Sequence, residues 1–280
     1  MVLLDYMLQF IKEDAPYGDV TSAAIVPDIT CNAVIRAEQA GIIAGLEEAS
    51  TLFSHFGVSV KHLANDGDAV CQNDSLLFLN GDAKKILLVE RTALNIIGRM
   101  SGIASQTKKI VDIVSAVNPC CRVAATRKTC PGFRLFDKKA VKIGGGDTHR
   151  ISLSDGILIK DNHLVLVPLG IAIQSAKTET CYKKIEVEVE TPENAVVAAK
   201  AGADIIMLDN MSPVKIAWTI NVLKREGLRD RVIIEISGGI DESSLQQYAK
   251  LEVDVISFGV LTHSVKNFSV NLEIIPQNNP

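Results

Sequence analysis

The sequence has no apolar run approaching the roughly 20 residues that a membrane-spanning helix requires. Its six cysteines form no Cys-x-x-Cys pair, so neither a structural zinc site nor a disulfide framework is predicted. No basic stretch precedes the first apolar residues, and Asp5 interrupts them, so we predict a short amphipathic helix there instead of a secretory signal. These absences favour a globular protein of the cytoplasm.

Excess positive charge is also missing, because the 280 residues carry a formal net charge of −4. Proteins that bind nucleic acid through a broad surface are generally basic, so we expect no such partner, and no membrane partner either. Cationic side chains are nevertheless concentrated around one glycine run. They are Arg127, Lys128, Lys142, His149, Arg150 and Lys160. A local cluster of this kind on an acidic chain predicts a site for a small polyanion.

The second half of the chain alternates strand patterns with helical ones. Predicted strands cover 122–126, 156–160, 184–190, 204–208, 232–237 and 253–257. Helices with proline in the first turn begin after Thr191 and Ser212. This alternation predicts parallel strands joined by helical crossovers. A closed barrel of this kind needs eight strands, so six strands predict a smaller or incomplete barrel.

Reactive residue types follow the predicted strands at their carboxyl ends. They are Arg127, Lys128, Lys160, Glu188, Asp209, Ser237 and Ser257. Barrel enzymes carry their chemistry on this rim, whereas an open doubly wound sheet concentrates it at one switch point. The pattern therefore favours the barrel. Taken alone, Arg127 and Lys128 are more typical of a solvated loop. Lys160 could be an ordinary strand-end lysine, but the polar residues 161–163 that follow it favour a functional role.

Strict alternation over 185–190 places Glu186, Glu188 and Glu190 on one strand face. Internal parallel strands are covered on both faces, so we predict that these glutamates point into the barrel. Buried carboxylates need cations, and the candidates are the lysines or Mg²⁺. Asp209 adds a carboxylate at the end of the next strand.

Glycine-containing turns follow the last two strands: Ser237-Gly238-Gly239 and Ser257-Phe-Gly259. Backbone N–H groups of such turns commonly bind phosphate in barrels. His149 and Arg150 follow three consecutive glycines, which lower stability unless the backbone approaches something closely. These features predict a phosphate site with a cationic loop nearby.

Together these segments resemble quinolinate phosphoribosyltransferase, also called nicotinate-nucleotide pyrophosphorylase (carboxylating). The matching motifs are Tyr17-Gly-Asp-Val-Thr21, Glu90-Arg-Thr-Ala-Leu-Asn95 with Ser101-Gly-Ile103, Thr126-Arg-Lys-Thr129 with Pro131-Gly132, Gly144-Gly-Gly146 with His149-Arg150, Ile159-Lys-Asp-Asn-His163, Glu186-Val-Glu188, Leu208-Asp-Asn210, Ser237-Gly-Gly239 and Leu261-Thr-His-Ser264. They occur in family order over nearly the whole chain. A molybdenum-transport-associated relative shares much of this pattern but usually lacks the full Ile-Lys-Asp-Asn-His string.

The resemblance implies an α/β fold with an N-terminal α/β sandwich domain over 1–108 and an incomplete (β/α) barrel of about six strands over 109–265. Residues 266–280 are expected to fold back onto the first domain. The resemblance also implies a homo-oligomer, either a homodimer or a homohexamer built as a trimer of dimers. In such an assembly Arg91 reaches into the neighbouring subunit's site.

The implied reaction converts quinolinate and phosphoribosyl pyrophosphate to nicotinate mononucleotide, pyrophosphate and CO₂ in NAD biosynthesis, with Mg²⁺ and no organic cofactor. The implied quinolinate-binding residues are Arg91, Arg127, Lys128, His149, Arg150 and Lys160. The implied catalytic residues are Lys128, Lys160, Glu188 and Asp209, the two acids being the candidate Mg²⁺ ligands. The implied phosphoribosyl-binding residues are Ser237, Gly238, Gly239, Ser257 and Gly259.

Two alternatives stay open at this point. A phosphoribosyltransferase of the molybdenum-transport-associated type, acting on another aromatic acid, could use the same cations. A non-catalytic barrel that binds sugar phosphates would not need the glutamate strand or Asp209, so the presence of these carboxylates counts against it.

Overall fold

The chain forms two compact units in a computed structural model that describes residues 2–240 and 244–275. The first unit combines Met1–Lys108, Cys130–Gly145 and the segment from Ser264, and the second combines Lys109–Thr129 with Gly146–His263. Residues Cys130–Gly145 thus belong to the first unit, whereas the sequence assigned them to the barrel. Among the described residues, no helix combines the length and apolar character needed to cross a membrane.

The first unit contains a four-stranded antiparallel sheet and a small two-stranded one. The large sheet has the order β12-β1-β5-β3, formed by β1 (Thr30–Ala37), β3 (Ser59–His62), β5 (Ser75–Asp82) and β12 (Val270–Ile275). The small one pairs β2 (Gly41–Ile42) with β4 (Ala69–Val70). Because β12 pairs with β1, part of the segment expected to fold back lies in this sheet; residues 276–280 lie outside the described residues.

Helices complete the first unit. They are α1 (Val2–Asp14), α2 (Val20–Ile25), α3 (Leu46–His55), the N-terminal part of α4 (Ala83–Ser115) and α5 (Arg134–Ile143). The sequence predicted α4 from about 83 to about 117. Its glycines allow close packing, because a Cβ added at Gly102 would overlap the carbonyl oxygen of Lys266.

Helix α5 joins the first unit through aromatic and ionic contacts. The rings of Phe133 and Phe136 have centroids 5.5 and 5.9 Å from that of Phe10. Asp137 is fully buried and accepts two hydrogen bonds from the guanidinium of Arg99, at 2.8 and 2.9 Å. These partners are remote in sequence, so local pattern could not assign α5 to its unit.

We expect Asp137→Ala to lower the free energy of unfolding by roughly 3 kcal/mol, since it removes the buried carboxylate that accepts two hydrogen bonds from the largely buried Arg99 guanidinium. Glu226→Ala is the control, because Glu226 pairs with Lys200 at 2.7 Å on the surface. Such exposed pairs contribute about 1 kcal/mol or less. Urea denaturation followed by circular dichroism measures both. Equal losses would show that the Arg99–Asp137 pair contributes no more than a surface ion pair.

The second unit is built on a parallel sheet in the order β6-β11-β10-β9-β8-β7. Its strands are β6 (Arg122–Ala125), β7 (Ile157–Ile159), β8 (Ile185–Val189), β9 (Ile205–Asp209), β10 (Ile233–Ser237) and β11 (Val255–Phe258). The first strand pairs with the last, so the sheet curls round, but within the described residues no ladder joins β6 to β7. The predicted incomplete barrel is therefore confirmed.

Helical segments connect these strands, together with a 3₁₀ turn at Arg229–Arg231. They are α6 (Asp161–Leu164), α7 (Leu169–Glu179), α8 (Pro192–Ala201), α9 (Pro213–Arg225), α10 (Leu245–Ala249) and α11 (Val260–His263). The predicted starts of α8 and α9, after Thr191 and Ser212, are confirmed. Thr191 caps α8 by accepting from the Asn194 N–H at 3.2 Å, and Ser212 caps α9 by accepting from the Lys215 N–H at 3.4 Å.

Candidate active site

A cavity of about 500 Å³ lies within the second unit at the carboxyl ends of the strands. Its lining contains most of the residues singled out in the sequence. They are Arg127, Lys128, His149, Arg150, Lys160, Glu188, Asp209, Ser237, Gly238, Gly239 and Ser257. Parallel strands end on the same rim of a barrel, so residues far apart in sequence converge there.

A recess of about 360 Å³ shares Lys128, Ser237 and Ser257 with this cavity and adds Gly259. Its turn residues Gly238 and Gly239 have φ angles of +86° and +65°. Side chains disfavour this left-handed region, so glycine is required there. The recess therefore has the glycine-lined geometry that was predicted for a phosphate.

Two predicted cations, Arg91 and Lys142, belong to the first unit and are absent from the described lining of the cavity. Arg91 lies on α4 with 63% of its side chain exposed, and its Nη2 is 4.0 Å from the Glu90 carboxylate. Lys142 is exposed on α5. Lys142 therefore drops out of the predicted cation cluster, whereas Arg91 was expected to serve the cavity of a neighbouring subunit.

Lys160 and Glu188 form an ion pair at one side of the cavity, with Lys160 Nζ donating to Glu188 Oε1. Both lie at strand ends, Lys160 directly after β7 and Glu188 in β8. Glu190 differs from the expectation for all three glutamates, because β8 ends at Val189 and the Glu190 side chain is exposed. Alternation holds only while the strand continues, so only Glu186 and Glu188 turn inward.

Asp209 is held by Asn210, a residue given no role in the predicted site. Asn210 Nδ2 donates to Asp209 Oδ2 at 2.7 Å, and the Asn210 N–H donates to the Ser237 carbonyl at 2.9 Å. Its φ of +51° is one that asparagine tolerates better than most residues. A Cβ at Gly238 would overlap Asn210 Oδ1, so the two turns interlock.

Arg127 and Arg150 bring two guanidinium groups to the cavity. Burial, followed by the charge of Arg127, lowers the pKa of Arg150. Arg127 Nε is buried, and no acceptor for it lies among the described residues. Two neighbouring guanidiniums with an unused donor form a site for an anion.

His149 and the two buried acids Glu186 and Glu235 form a cluster inside the barrel. His149 Nε2 is 3.0 Å from Glu186 Oε2 and 3.7 Å from Glu235 Oε2. Sequence reasoning missed Glu235, although a carboxylate two residues before Ser237 on an apolar strand was the available signal. Burial, followed by the charge of Glu186, raises the pKa of Glu235 to about 7.

The incomplete parallel barrel carries a cationic cavity and a glycine-lined recess at its carboxyl rim, which places the protein among barrel enzymes whose active site lies on that rim. The chain belongs to the quinolinate phosphoribosyl transferase family. The model of that family's N-terminal domain matches residues 19–101, and the model of its C-terminal domain matches residues 103–273. The resemblance found in the sequence is thereby confirmed.

Curated relatives span almost the whole chain. A probable nicotinate-nucleotide pyrophosphorylase [carboxylating] from Methanothermobacter thermautotrophicus is 44% identical over 275 residues, covering 97% of this chain and 99% of the relative. The human nicotinate-nucleotide pyrophosphorylase [carboxylating] is 34% identical over 95% of this chain and 89% of its own length. The solved nicotinate-nucleotide pyrophosphorylase from Francisella tularensis has a TM-score of 0.90 at 34% identity, over 98% of this chain and 96% of that one.

Proposed function

We propose that this chain transfers the phosphoribosyl group of phosphoribosyl pyrophosphate to quinolinate, with loss of CO₂, to give nicotinate mononucleotide and pyrophosphate for NAD biosynthesis. The observation that carries the proposal is one cavity holding two guanidiniums, a lysine–glutamate pair, an aspartate and a glycine-lined recess. Relatives from archaea and animals are named for this activity.

Quinolinate presents two adjacent carboxylates. Arg127 and Arg150 bind them in bidentate fashion, and the buried Arg127 Nε supplies a donor that otherwise lacks an acceptor among the described residues. His149 and Lys128 line the same cavity and add positive charge. This cation set is matched to a dicarboxylate.

Phosphoribosyl pyrophosphate brings a 5′-phosphate, a ribose and a diphosphate. The 5′-phosphate binds in the recess of Ser237–Gly239, Ser257 and Gly259. The carboxylates of Glu188 and Asp209 are hard oxygen donors that fit Mg²⁺ completed by substrate oxygens. Bound there, Mg²⁺ supplies charge neutralisation for the diphosphate.

The reaction needs charge stabilisation more than proton transfer. As the bond from ribose C1 to the diphosphate oxygen breaks, positive charge develops on the ribose, and Glu188 and Asp209 stabilise it. Lys128 and Lys160 stabilise the departing diphosphate. The quinolinate nitrogen then bonds to C1 and becomes cationic. The ring accepts the electron pair of the C2–carboxylate bond as CO₂ leaves, and a proton from solvent takes the vacated position.

We propose a homo-oligomer, dimer or hexamer, because Arg91 is exposed in the first unit while the cavity belongs to the second. A cytoplasmic location is part of the proposal. All six cysteines are free, which supports a reducing compartment.

Quinolinate is expected to be turned over with release of CO₂, while nicotinate reacts at least about 10²-fold more slowly in kcat/KM. A site that has desolvated two guanidiniums for two carboxylates discriminates strongly against a ligand that lacks one of them. The assay supplies phosphoribosyl pyrophosphate, Mg²⁺ and either acid, and follows nicotinate mononucleotide by chromatography. Omission of Mg²⁺ tests the metal, since activity should fall to background. Equal turnover of nicotinate would contradict the dicarboxylate assignment.

A further inference from the structure

A second cavity, of about 470 Å³, lies at the amino-terminal ends of the barrel strands. Its lining includes the residues that open five of these strands: Arg122, Ile157, Ile205, Ile233 and Val255. His149 and Glu235 line both this cavity and the proposed active site, and Glu186 lines the second cavity. The buried cluster therefore forms part of the wall between the two.

This wall holds two buried acids whose hydrogen-bonding capacity the cluster itself does not fill. Glu186 and Glu235 are almost completely buried, and each has an Oε1 atom without a hydrogen-bond partner among the described residues. A hydrogen bond from Ser257 reaches Glu235, and the charges of Asp147 and Arg150 act on Glu235 and Glu186 respectively. The His149 ring lies beside both acids, with Nε2 3.0 Å from Glu186 Oε2 and 3.7 Å from Glu235 Oε2.

The backbone at His149 is also fixed. Its φ of +51° is uncommon for a residue with a side chain. Its N–H donates to Asp147 Oδ1 at 2.8 Å, and Asp147 Oδ2 accepts from Arg122 Nη1 at 3.1 Å. Backbone and ring are therefore held by separate partners, which is the arrangement expected for a side chain that must keep one orientation.

We propose that Glu186 and Glu235 are positioning residues that act through His149 to set the affinity for quinolinate. Held 3.0 Å from a carboxylate, His149 Nε2 serves as a donor. A ring that also donates to a substrate carboxylate carries both protons, and the two buried acids stabilise that charge. The inference rests on the proposed function and deepens it. It assigns the binding of one quinolinate carboxylate to His149, which Glu186 and Glu235 hold in place.

The test is a double-mutant cycle with Glu186→Gln, His149→Gln and the double variant. Each single change should raise the KM for quinolinate about tenfold, with kcat and the KM for phosphoribosyl pyrophosphate altered less than about twofold. The double variant should be no worse than His149→Gln, because residues that act through one another are non-additive. Glu235→Gln is an independent second variant with the same expected readout. Glu190→Gln, exposed after the same strand as Glu186, is the control and should match the wild type.

Additive effects in the double variant would overturn the proposal, as would an unchanged KM for quinolinate in both Glu186→Gln and Glu235→Gln. Equilibrium dialysis with Zn²⁺ and with Mn²⁺ provides a second check. One bound ion per wild-type chain, lost in Glu235→Gln, would make the cluster a metal site and refute the positioning role. Failure of the wild type to turn over quinolinate would refute the proposed function and this inference together, whereas an active wild type with unaffected variants refutes the inference alone.

Discussion

Glu188→Ala should lower kcat by about 10²-fold or more, equivalent to roughly 3 kcal/mol of lost transition-state stabilisation. Glu188 is the carboxylate in direct contact with Lys160, on the rim of the proposed active-site cavity. In the proposed mechanism its charge stabilises the ribose as it becomes cationic, and alanine offers no replacement. Steady-state formation of nicotinate mononucleotide at saturating substrates measures the loss.

Glu190→Ala is the matched control for this prediction. Glu190 is two residues further along the chain, but it follows the end of β8 and is exposed. We expect its kcat to stay within about twofold of the wild type. If Glu190→Ala were the more damaging change, the register of β8 in the site would be wrong.

Mixing two inactive variants should restore activity if sites are shared between subunits. Arg91→Ala removes the arginine of the first unit, and Lys128→Ala removes a cavity lysine of the second. With random reassortment at equal ratio, half of the dimers are mixed, and each mixed dimer has one intact site of two. About a quarter of the sites should therefore recover, as a two-fold assembly with composite sites requires.

The interpretation depends on independent proof that subunits exchange, for which native mass spectrometry of a mass-tagged variant is suited. Each variant alone must be inactive, and Arg91→Ala must keep the wild-type circular dichroism spectrum. Inactive mixtures with proven exchange would mean that Arg91 serves its own chain. Recovery well above a quarter would mean that one of the lesions is only partial.

The sequence predicted the barrel well, because each of its strands is a short apolar run bounded by turn residues. Because helices alternate with these strands, the strands were predicted to be parallel. Parallel strands of a barrel end on the same rim, so the residues at their carboxyl ends were expected to lie together. It placed α5 in the wrong unit, since the contacts of Phe133 with Phe10 and of Asp137 with Arg99 join residues far apart in the chain.

The site was predicted as a set of residues but not as an arrangement. Lys160 and Glu188 were both expected at the rim. Their ion pair forms because β7 and β8 are adjacent strands of the sheet, and the sequence did not predict that strand order. Glu235 was missed, because a carboxylate on an apolar strand indicates a buried acid but not which groups on other strands it contacts. Asn210 was passed over for the same reason, since its interlock with Gly238 joins two loops.

The four-stranded sheet receives one of its strands, β12, only near the end of synthesis. Strand β1 is an inner strand only because β12, at Val270–Ile275, covers one of its edges. Strands β1, β3 and β5 are synthesised by Asp82, whereas β12 begins only at Val270, so one edge of β1 stays open while the whole parallel sheet is being synthesised. Throughout that interval β1 offers unpaired N–H and C=O groups to other nascent chains. We therefore expect the last residues to matter for the yield of folded protein as much as for its final stability.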